Sequence, residues 1–182
     1  MKQNNEALDS LGASLSIRRN QLGECDLVAV TLEAIGDINN NIYHTNGDLT
    51  AATTADEHYV ESIAIREQIF GEHSSLANVL FKRSQLKLQL GDVDEAIALL
   101  KQCHAMREKE LGEQHPLVAL TLYRLGCAQL ELGNEEAAAM SFEKVVETRA
   151  FESVDSRALM VLGETALTSP RHSFWQDRRW SR

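Results

Sequence analysis

Residues 107–120 read REKELGEQHPLVAL and residues 66–80 read REQIFGEHSSLANVL, so one pattern recurs 41 positions along the chain, from 66 to 107. A second pair keeps nearly the same spacing: residues 91–96 read GDVDEA and residues 133–138 read GNEEAA. A period of about 20 to 50 residues is typical of stacked supersecondary units, each of which buries apolar surface against its neighbours. The repeat therefore predicts the architecture, whereas it leaves the identity of a partner open.

The composition and charge narrow the class of protein. The 182 residues hold 2 prolines and 10 glycines, and 43% of them are hydrophobic, which suits long helices with short connections in one domain. The net charge is −9, but the last twelve residues carry +3, so the other 170 carry −12. An acidic body disfavours nonspecific binding to nucleic acid and to anionic membranes, and we expect neither as a partner.

The cysteines and the start of the chain predict the compartment. Cys25, Cys103 and Cys127 show no metal-ligand spacing, and an odd number fits no disulfide framework, so reduced thiols in a cytosolic protein are the simplest interpretation. The first residues, MKQNNEALDS, contain no apolar stretch of a signal peptide, and no apolar run approaches the roughly 18 residues of a membrane span. We therefore predict a soluble, cytoplasmic protein in which Cys103, at a packing position, is buried.

The third unit, residues 115–150, predicts two antiparallel helices joined by a tight turn. Pro116 suits the first helical position because it has no N–H to leave unpaired. Gly133 suits the end of that helix, and Asn134 can cap the next one. Apolar residues recur at helical spacing in both segments: Val118, Leu122 and Leu125 in the first, and Ala138, Phe142 and Val145 in the second.

The second unit, residues 73–109, repeats this design. Its first helix is predicted from about Ser74 to Leu90, and Gly91 ends it. Asp92 with Glu95 three residues later predicts a capping box at the start of the second helix.

The first unit and the two ends are less regular. The first unit, residues 26–70, is about seven residues longer, and we place the insertion in the turn around Asn46–Asp48. Residues 4–22 are predicted to be the second helix of a half repeat. Residues 153–168 are predicted to be the first helix of a degenerate repeat, and residues 169–182 form a basic, Trp-containing tail that is predicted to be disordered.

Residues of the third unit resemble the tetratricopeptide repeat. In that family a small residue lies where the helices cross, a glycine lies in the turn, and an alanine then an aromatic follow, as at Gly126, Gly133, Ala138 and Phe142. The connector at residues 107–119 is similar to that of kinesin-light-chain-type repeats. The resemblance implies an all-α fold, a right-handed solenoid of helical hairpins.

The resemblance also implies where a ligand would bind. First helices of successive units line the concave face of such solenoids and hold an extended or helical peptide. Phe81 and Tyr123 are equivalent, and they either anchor a peptide or cover apolar surface near the helix crossings. The family's spacing gives these groove candidates: Glu33, Asp37, Asn40, Phe81, Lys82, Gln85, Tyr123, Arg124 and Cys127.

The charges of these positions bear on the ligand. Glu33 and Asp37 predict a preference for a basic ligand, while Lys82 and Arg124 predict the opposite preference further along. The basic clamp by which chaperone-binding members hold a C-terminal carboxylate has no counterpart. The asparagines typical of kinesin light chains are also replaced, at Glu33, Phe81 and Tyr123.

No pattern predicts catalysis. His73 and His115 stand at equivalent positions just before a helix, which favours structural capping over metal binding. Cys127 could face the groove, but no neighbouring His or Lys predicts a lowered pKa. The sequence has no Gly-rich phosphate loop, nucleophile elbow or HExxH motif, so we predict no catalytic residue, metal or cofactor.

The predicted function is a protein–protein interaction module, a scaffold or adaptor that binds a peptide or partner helix in the groove. The alternative is a regulatory or sensor domain that controls an attached or associated effector. Because half repeats leave apolar faces uncovered, we expect self-association or a place in a longer array. The aromatic and arginine-rich tail is either a pseudo-ligand or a disordered end.

Overall fold

The computed structural model describes residues 2–148, apart from the side chains of residues 2 and 3, and the regular structure of that part is entirely helical. The predicted helix at 153–168 and the predicted tail at 169–182 lie outside the described residues. Within them, seven helices follow one another: α1 (Lys2–Leu22), α2 (Asp26–Asn46), α3 (Leu49–Phe70), α4 (Ser74–Leu90), α5 (Val93–Leu111), α6 (Pro116–Glu131) and α7 (Glu135–Glu147).

The chain forms two compact units. The first, Met1–Met106, contains α1 to α4 and most of α5, and the second begins at Arg107 and contains α6 and α7. In the first unit α2 and α3 form a hairpin, α1 packs on α2, and α4 packs on α3. In the second unit α6 and α7 form the corresponding hairpin. The helix predicted from Ser74 to Leu90 is confirmed.

The extra residues of the first hairpin lie in its helices, and the predicted turn insertion is wrong. The connection consists of Gly47 and Asp48 alone, between helices of 21 and 22 residues, whereas α4 and α5 have 17 and 19. Gly47 adopts the left-handed conformation that ends α2, with φ of 74°. The Asp48 carboxylate accepts the backbone N–H of Thr50 at 2.9 Å and so caps α3. Two such residues suffice to reverse the chain, so both helices extend by about one turn.

In two hairpins, the helices cross at a glycine that lies against an aromatic ring of the second helix. A Cβ on Gly36 would lie 2.7 Å from the ring of Tyr59, and a Cβ on Gly126 would lie 2.6 Å from the ring of Phe142. Both rings are fully buried. Only glycine lets the second helix approach this closely, because any side chain at the crossing would overlap the ring. This is the physical reason for the small residue predicted at the crossing.

Short polar contacts lock the second helices of the first unit onto the preceding ones. Ser62 donates its hydroxyl to the carbonyl of Ala29 at 2.9 Å, and Cys103 donates its thiol to the carbonyl of Ala77 at 3.1 Å. Both side chains are fully buried. The predicted burial of Cys103 is therefore confirmed, and its thiol acts as a small packing group with a weak hydrogen bond.

Repeated arginines contact the first turn of the helix that follows them. Arg66 and Arg107 are both about 4% exposed, and each lies in the last turns of its helix, α3 or α5. Guanidinium groups at these positions donate to carbonyls in the first turn of the following helix: Arg18 to Leu27 at 3.1 Å, Arg66 to Ser75 at 3.0 Å and Arg107 to Leu117 at 3.3 Å. The contact explains why the repeated connector begins with arginine, since a buried guanidinium needs hydrogen-bond acceptors.

Histidine caps two first helices, as predicted. The Nδ1 atom of His73 accepts the backbone N–H of Ser75 at 3.2 Å, and the Nδ1 atom of His115 accepts that of Leu117 at 3.1 Å. Each bond satisfies one of the donors that the first turn of a helix leaves unpaired. Structural capping is therefore confirmed at both positions.

The capping box predicted at Asp92 and Glu95 does not form. The backbone N–H of Asp92 donates to the carbonyl of Lys87 at 2.9 Å, so it is already satisfied by the end of α4. The Glu95 carboxylate instead contacts Arg83 at 2.7 Å and Lys87 at 3.0 Å. Two cations on α4 attract this side chain more strongly than one backbone N–H does.

Candidate functional site

The groove candidates of the first unit lie on α2 and α4, and the structure brings three of them into direct contact. The ammonium of Lys82 on α4 lies 2.7 Å from Glu33 Oε1 and 2.6 Å from Asp37 Oδ2, both on α2. These side chains are partly exposed: 35% for Lys82, 15% for Glu33 and 42% for Asp37. We call the two carboxylates, Glu33 and Asp37, which Lys82 joins, the bridged pair. The predicted acidic patch is therefore already paired with a cation of the chain itself, and Lys82 belongs to this patch rather than to a separate basic one.

A buried arginine on α3 forms a further ion pair with one carboxylate of the bridged pair. Arg66 on α3 places Nη2 2.7 Å from Glu33 Oε2, and its Nε lies 3.5 Å from Asp26. The Glu33 carboxylate thus accepts from one cation at each oxygen. A charge this poorly hydrated is stable only when it is paired and hydrogen-bonded, so Glu33 is held in one position.

The core aromatic of the first hairpin also reaches this surface. Tyr59 donates its hydroxyl to Asp37 Oδ1 at 2.8 Å. Burial raises the pKa of Tyr59 far above its usual range, and the charge of Asp37 raises it further, so the hydroxyl stays protonated and donates. Burial acts to lower the pKa of Lys82, but its bonds to Asp37 and Glu33 outweigh burial and raise it, so the ammonium stays charged.

The remaining candidates of the first unit flank the bridged pair. Asn40 lies one turn beyond Asp37 on α2, and its buried Oδ1 has no hydrogen-bond partner among the described residues. Gln85 on α4 is half-buried. Phe81 is half-buried too and packs against the core cluster of α3, α4 and α5, which favours the interpretation that it covers apolar surface.

The candidates of the second unit form a more apolar surface on α6. The ring of Tyr123 packs against Phe142, with the centroids 5.9 Å apart and the planes inclined by 51°. Cys127 packs against the same cluster. Arg124 is exposed and forms no ion pair with another residue between 2 and 148. Tyr123 thus also serves packing, and Arg124 alone keeps the predicted positive charge.

Some residues of these surfaces were missed by sequence reasoning. Val30 and Leu120 are 43% and 38% exposed, and each lies three residues before a groove candidate, Glu33 and Tyr123 respectively. The helical spacing of three places them on the same faces. The sequence could have revealed them, because Val30 and Leu120 stand at equivalent positions of two repeats. No sequence pattern predicted the ion pair between Arg66 and Glu33, because it depends on how α3 packs against α2.

A second charged cluster lies inside the first unit. Asp56 on α3 accepts from Arg83 at 2.7 Å and from Lys87 at 2.9 Å, and Glu95 closes the cluster from α5. Burial acts to raise the pKa of Asp56, but its hydrogen bonds to Arg83 and Lys87 outweigh burial and lower it. This cluster joins three helices, and we assign it to stability.

Other kinds of site are not found in the described part of the chain. Between residues 2 and 148, no group of three or more His, Cys, Asp or Glu side chains is arranged to hold a metal ion. Nor is any of the helices that the structure describes long and apolar enough to cross a bilayer.

Comparison with known proteins agrees with this architecture. The family model described as tetratricopeptide repeat matches residues 41–109 and 76–150. No curated protein matches the chain. Among solved structures, nearly identical TPR-like repeats of a Podosopora anserina protein described as a kinesin light chain share 22% identity with a TM-score of 0.71, over 97% of this chain and 83% of theirs.

Two further structures share the fold at lower identity. BtubC (BKLC) from P. vanneervenii is 16% identical, with a TM-score of 0.76 over 99% of this chain and 78% of its own. MamA is 16% identical, with a TM-score of 0.63 over 91% of this chain and 78% of its own. The all-α hairpin solenoid predicted from the sequence and its kinesin-light-chain-like repeat type are thus confirmed at the level of the fold.

Proposed function

This chain belongs to the tetratricopeptide repeat family, and we propose that it is a scaffold or adaptor that binds a peptide or partner helix. Repeats of this family are generally protein-interaction modules, and its members are typically non-enzymatic. The proposed binding surfaces are the exposed faces of α2 and α4 in the first unit and of α6 in the second. We keep the division into repeats at 26–70, 73–109 and 115–150 as part of this proposal.

The observation that supports the proposal most is the fixed polar surface of the first unit. Glu33, Asp37 and Lys82 are partly exposed, yet ion pairs hold each of them in one position on rigid helices. Binding to side chains that are already ordered costs less conformational entropy than binding to mobile ones. Long charged side chains on a surface without a ligand are usually mobile, so this order favours a recognition surface.

The two surfaces differ in the ligand chemistry that they favour. On the first unit, Glu33, Asp37 and Lys82 are already paired with one another, which suits a partner segment without net charge. On the second unit, Leu120 and Tyr123 offer apolar contact beside the exposed Arg124. We expect a ligand of α2 and α4 to present a neutral segment, and a ligand of α6 to present an apolar segment. The predicted self-association or longer array, like the predicted location, stays a prediction.

Site-specific photo-cross-linking tests this proposal. A photoreactive amino acid is placed at Gln85 on α4 or at Arg124 on α6, and the full chain is irradiated in an extract of the source cells. Alanine at Phe81 or Tyr123 is unsuitable, because both rings also pack against the core. Matched controls carry the probe at Val60 and Met140, which are 43% and 53% exposed on second helices.

The proposal requires discrete cross-linked partners from the first-helix positions and few from the second-helix positions. Equal yields at Gln85, Arg124, Val60 and Met140, or partners trapped only at the last two, would contradict it. A partner that is captured at Met140 alone would place the interaction surface on α7 instead.

A further inference from the structure

Lys82 lies where a ligand's positive charge would be expected to lie. Its ammonium contacts Glu33 at 2.7 Å and Asp37 at 2.6 Å, so one nitrogen bridges carboxylates from two turns of α2. A lysine or arginine of a bound peptide would seek the same two oxygens. The chain thus supplies, from the first helix of one hairpin, the cation that completes the surface of the preceding hairpin.

We propose that Lys82 is a specificity-determining residue, a built-in counter-cation that occupies the Glu33–Asp37 pair and excludes lysine- and arginine-bearing segments from this surface. The proposal rests on the proposed function in so far as the surface binds a partner. It replaces the sequence-based expectation that Glu33 and Asp37 select a basic ligand.

The exclusion follows because both carboxylates are already occupied. Glu33 contacts Lys82 on α4 and Arg66 on α3, and Asp37 contacts the same Lys82 ammonium, while Arg66 is also shared with Asp26. An incoming cation would have to displace Lys82, which is attached to the chain and therefore competes at a high effective concentration. The displaced Lys82 ammonium would then lie close to the positive charge of the ligand, and like charges repel.

Removing the ammonium would reverse this preference. Without Lys82, Glu33 keeps its bond to Arg66, and Asp37 keeps only the neutral hydroxyl of Tyr59. Asp37, 42% exposed, would then be an accessible carboxylate without a paired cation.

The competing interpretation gives Lys82 a role in stability alone. Both interpretations predict that replacing Lys82 lowers the free energy of unfolding, because two ion pairs are lost. Only the specificity interpretation predicts that the variant gains affinity for cations at this surface. Cation binding is therefore the readout that separates them.

The test uses the full chain and a fluorescent, N-acetylated pentalysine amide as the probe, measured by fluorescence anisotropy at about 0.15 M salt to limit long-range attraction. Lys82→Met is compared with wild type and with Lys101→Met. Lys101 is exposed on α5 and forms no ion pair with another described residue, so both variants change the net charge equally. Lys82→Gln, which keeps the aliphatic stem, is measured in parallel in case the methionine variant does not fold.

We expect Lys82→Met, or Lys82→Gln, to bind pentalysine about tenfold more tightly than Lys101→Met, since accessible carboxylates contribute to binding at this scale. Adding Asp37→Asn to the Lys82 variant should remove the gain. Equal affinity of the Lys82 and Lys101 variants would overturn the proposal, as would wild-type binding as tight as that of Lys82→Met. A gain in pentalysine binding together with failed cross-linking at both Gln85 and Arg124 would leave this inference standing and reject the proposed function.

Discussion

Equivalent positions in the two units carry opposite chemistry on the same scaffold. Both hairpins cross at a glycine under a buried ring, Gly36 with Tyr59 and Gly126 with Phe142. On the surface, Glu33 and Asp37 in the first unit correspond to Tyr123 and Cys127 in the second. One surface is therefore charged and closed by ion pairs, while the other packs an aromatic ring onto its own core. The comparison shows that the repeat constrains the crossing and leaves the surface free to vary.

The core aromatic residues of the two hairpins differ by one hydroxyl group. Tyr59 carries a hydroxyl that reaches Asp37, whereas Phe142 has none, and its ring contacts Tyr123 instead. The core of the first hairpin is thereby linked to the charges of its surface. In the second hairpin, the contact between the Tyr123 and Phe142 rings links the surface to the core.

The shared crossing predicts the largest effect. Alanine at Gly36 or at Gly126 places a Cβ at 2.7 or 2.6 Å from a buried ring that has little room to move, and we expect each variant to lose about 2 to 3 kcal/mol of unfolding free energy. Urea denaturation followed by circular dichroism measures the loss.

A matched control tests whether the loss comes from the crossing. Gly12 lies in α1, and a Cβ built there meets nothing within 4 Å. Alanine should leave stability unchanged or raise it by up to about 1 kcal/mol, because alanine favours helix. If Gly36→Ala and Gly12→Ala behaved alike, the two crossings would not be the shared constraint that we infer.

The hydroxyl of Tyr59 predicts an intermediate effect that only the first hairpin can show. Tyr59→Phe makes this hairpin resemble the second one and removes a bond to a charged acceptor, so we expect a loss of about 1 to 2 kcal/mol. Tyr43→Phe is the control, because its hydroxyl donates to the carbonyl of Gln89 at an exposed site and should cost less. A larger loss for the control would show that the core and the bridged pair are not coupled through Tyr59.

The smallest predicted effect is a difference in acid sensitivity. Asp56 pairs with Arg83 and Lys87, whereas the second unit has Leu125 and Gln129 at the positions equivalent to these two cations. Because the pKa of Asp56 is lowered in the folded state, its contribution is present above about pH 4 and is lost as the pH falls through the lowered value.

Comparison of the wild type with Asp56→Asn isolates this contribution. The difference in unfolding free energy should be largest near pH 7 and should shrink by about 1 kcal/mol or less towards pH 3, given solvent screening. Urea titrations at a series of pH values measure it. A difference that stays constant with pH would mean that the charge of Asp56 contributes nothing.

Much of the fold could be predicted from local residue chemistry. His73 and His115 were identified as caps because they recur just before a helix start. Gly126 was placed at the helix crossing by the resemblance to the tetratricopeptide repeat. By contrast, the predicted capping box at Asp92 and Glu95 failed, because Glu95 finds cations on a neighbouring helix. The sequence gives no measure of such competition between local and tertiary partners.

The groove candidates show the same division. Helical spacing placed Glu33 and Asp37 on one face of α2, since neighbours on a helix face are set by the sequence alone. Their pairing with Lys82 depends on the packing of α4 against the first hairpin, which no local pattern encodes. We therefore propose a different ligand charge for this surface from the one that the sequence predicts.

The amino-acid sequence by itself determined the helices, most of their ends and the repeat that stacks them, because caps, turns and apolar spacing act within a few residues of each other. Only the tertiary structure decided which charges neutralise one another and where the additional turn of the first hairpin lies. Those outcomes depend on distances between side chains that are far apart in the chain, and such distances exist only once the helices have packed.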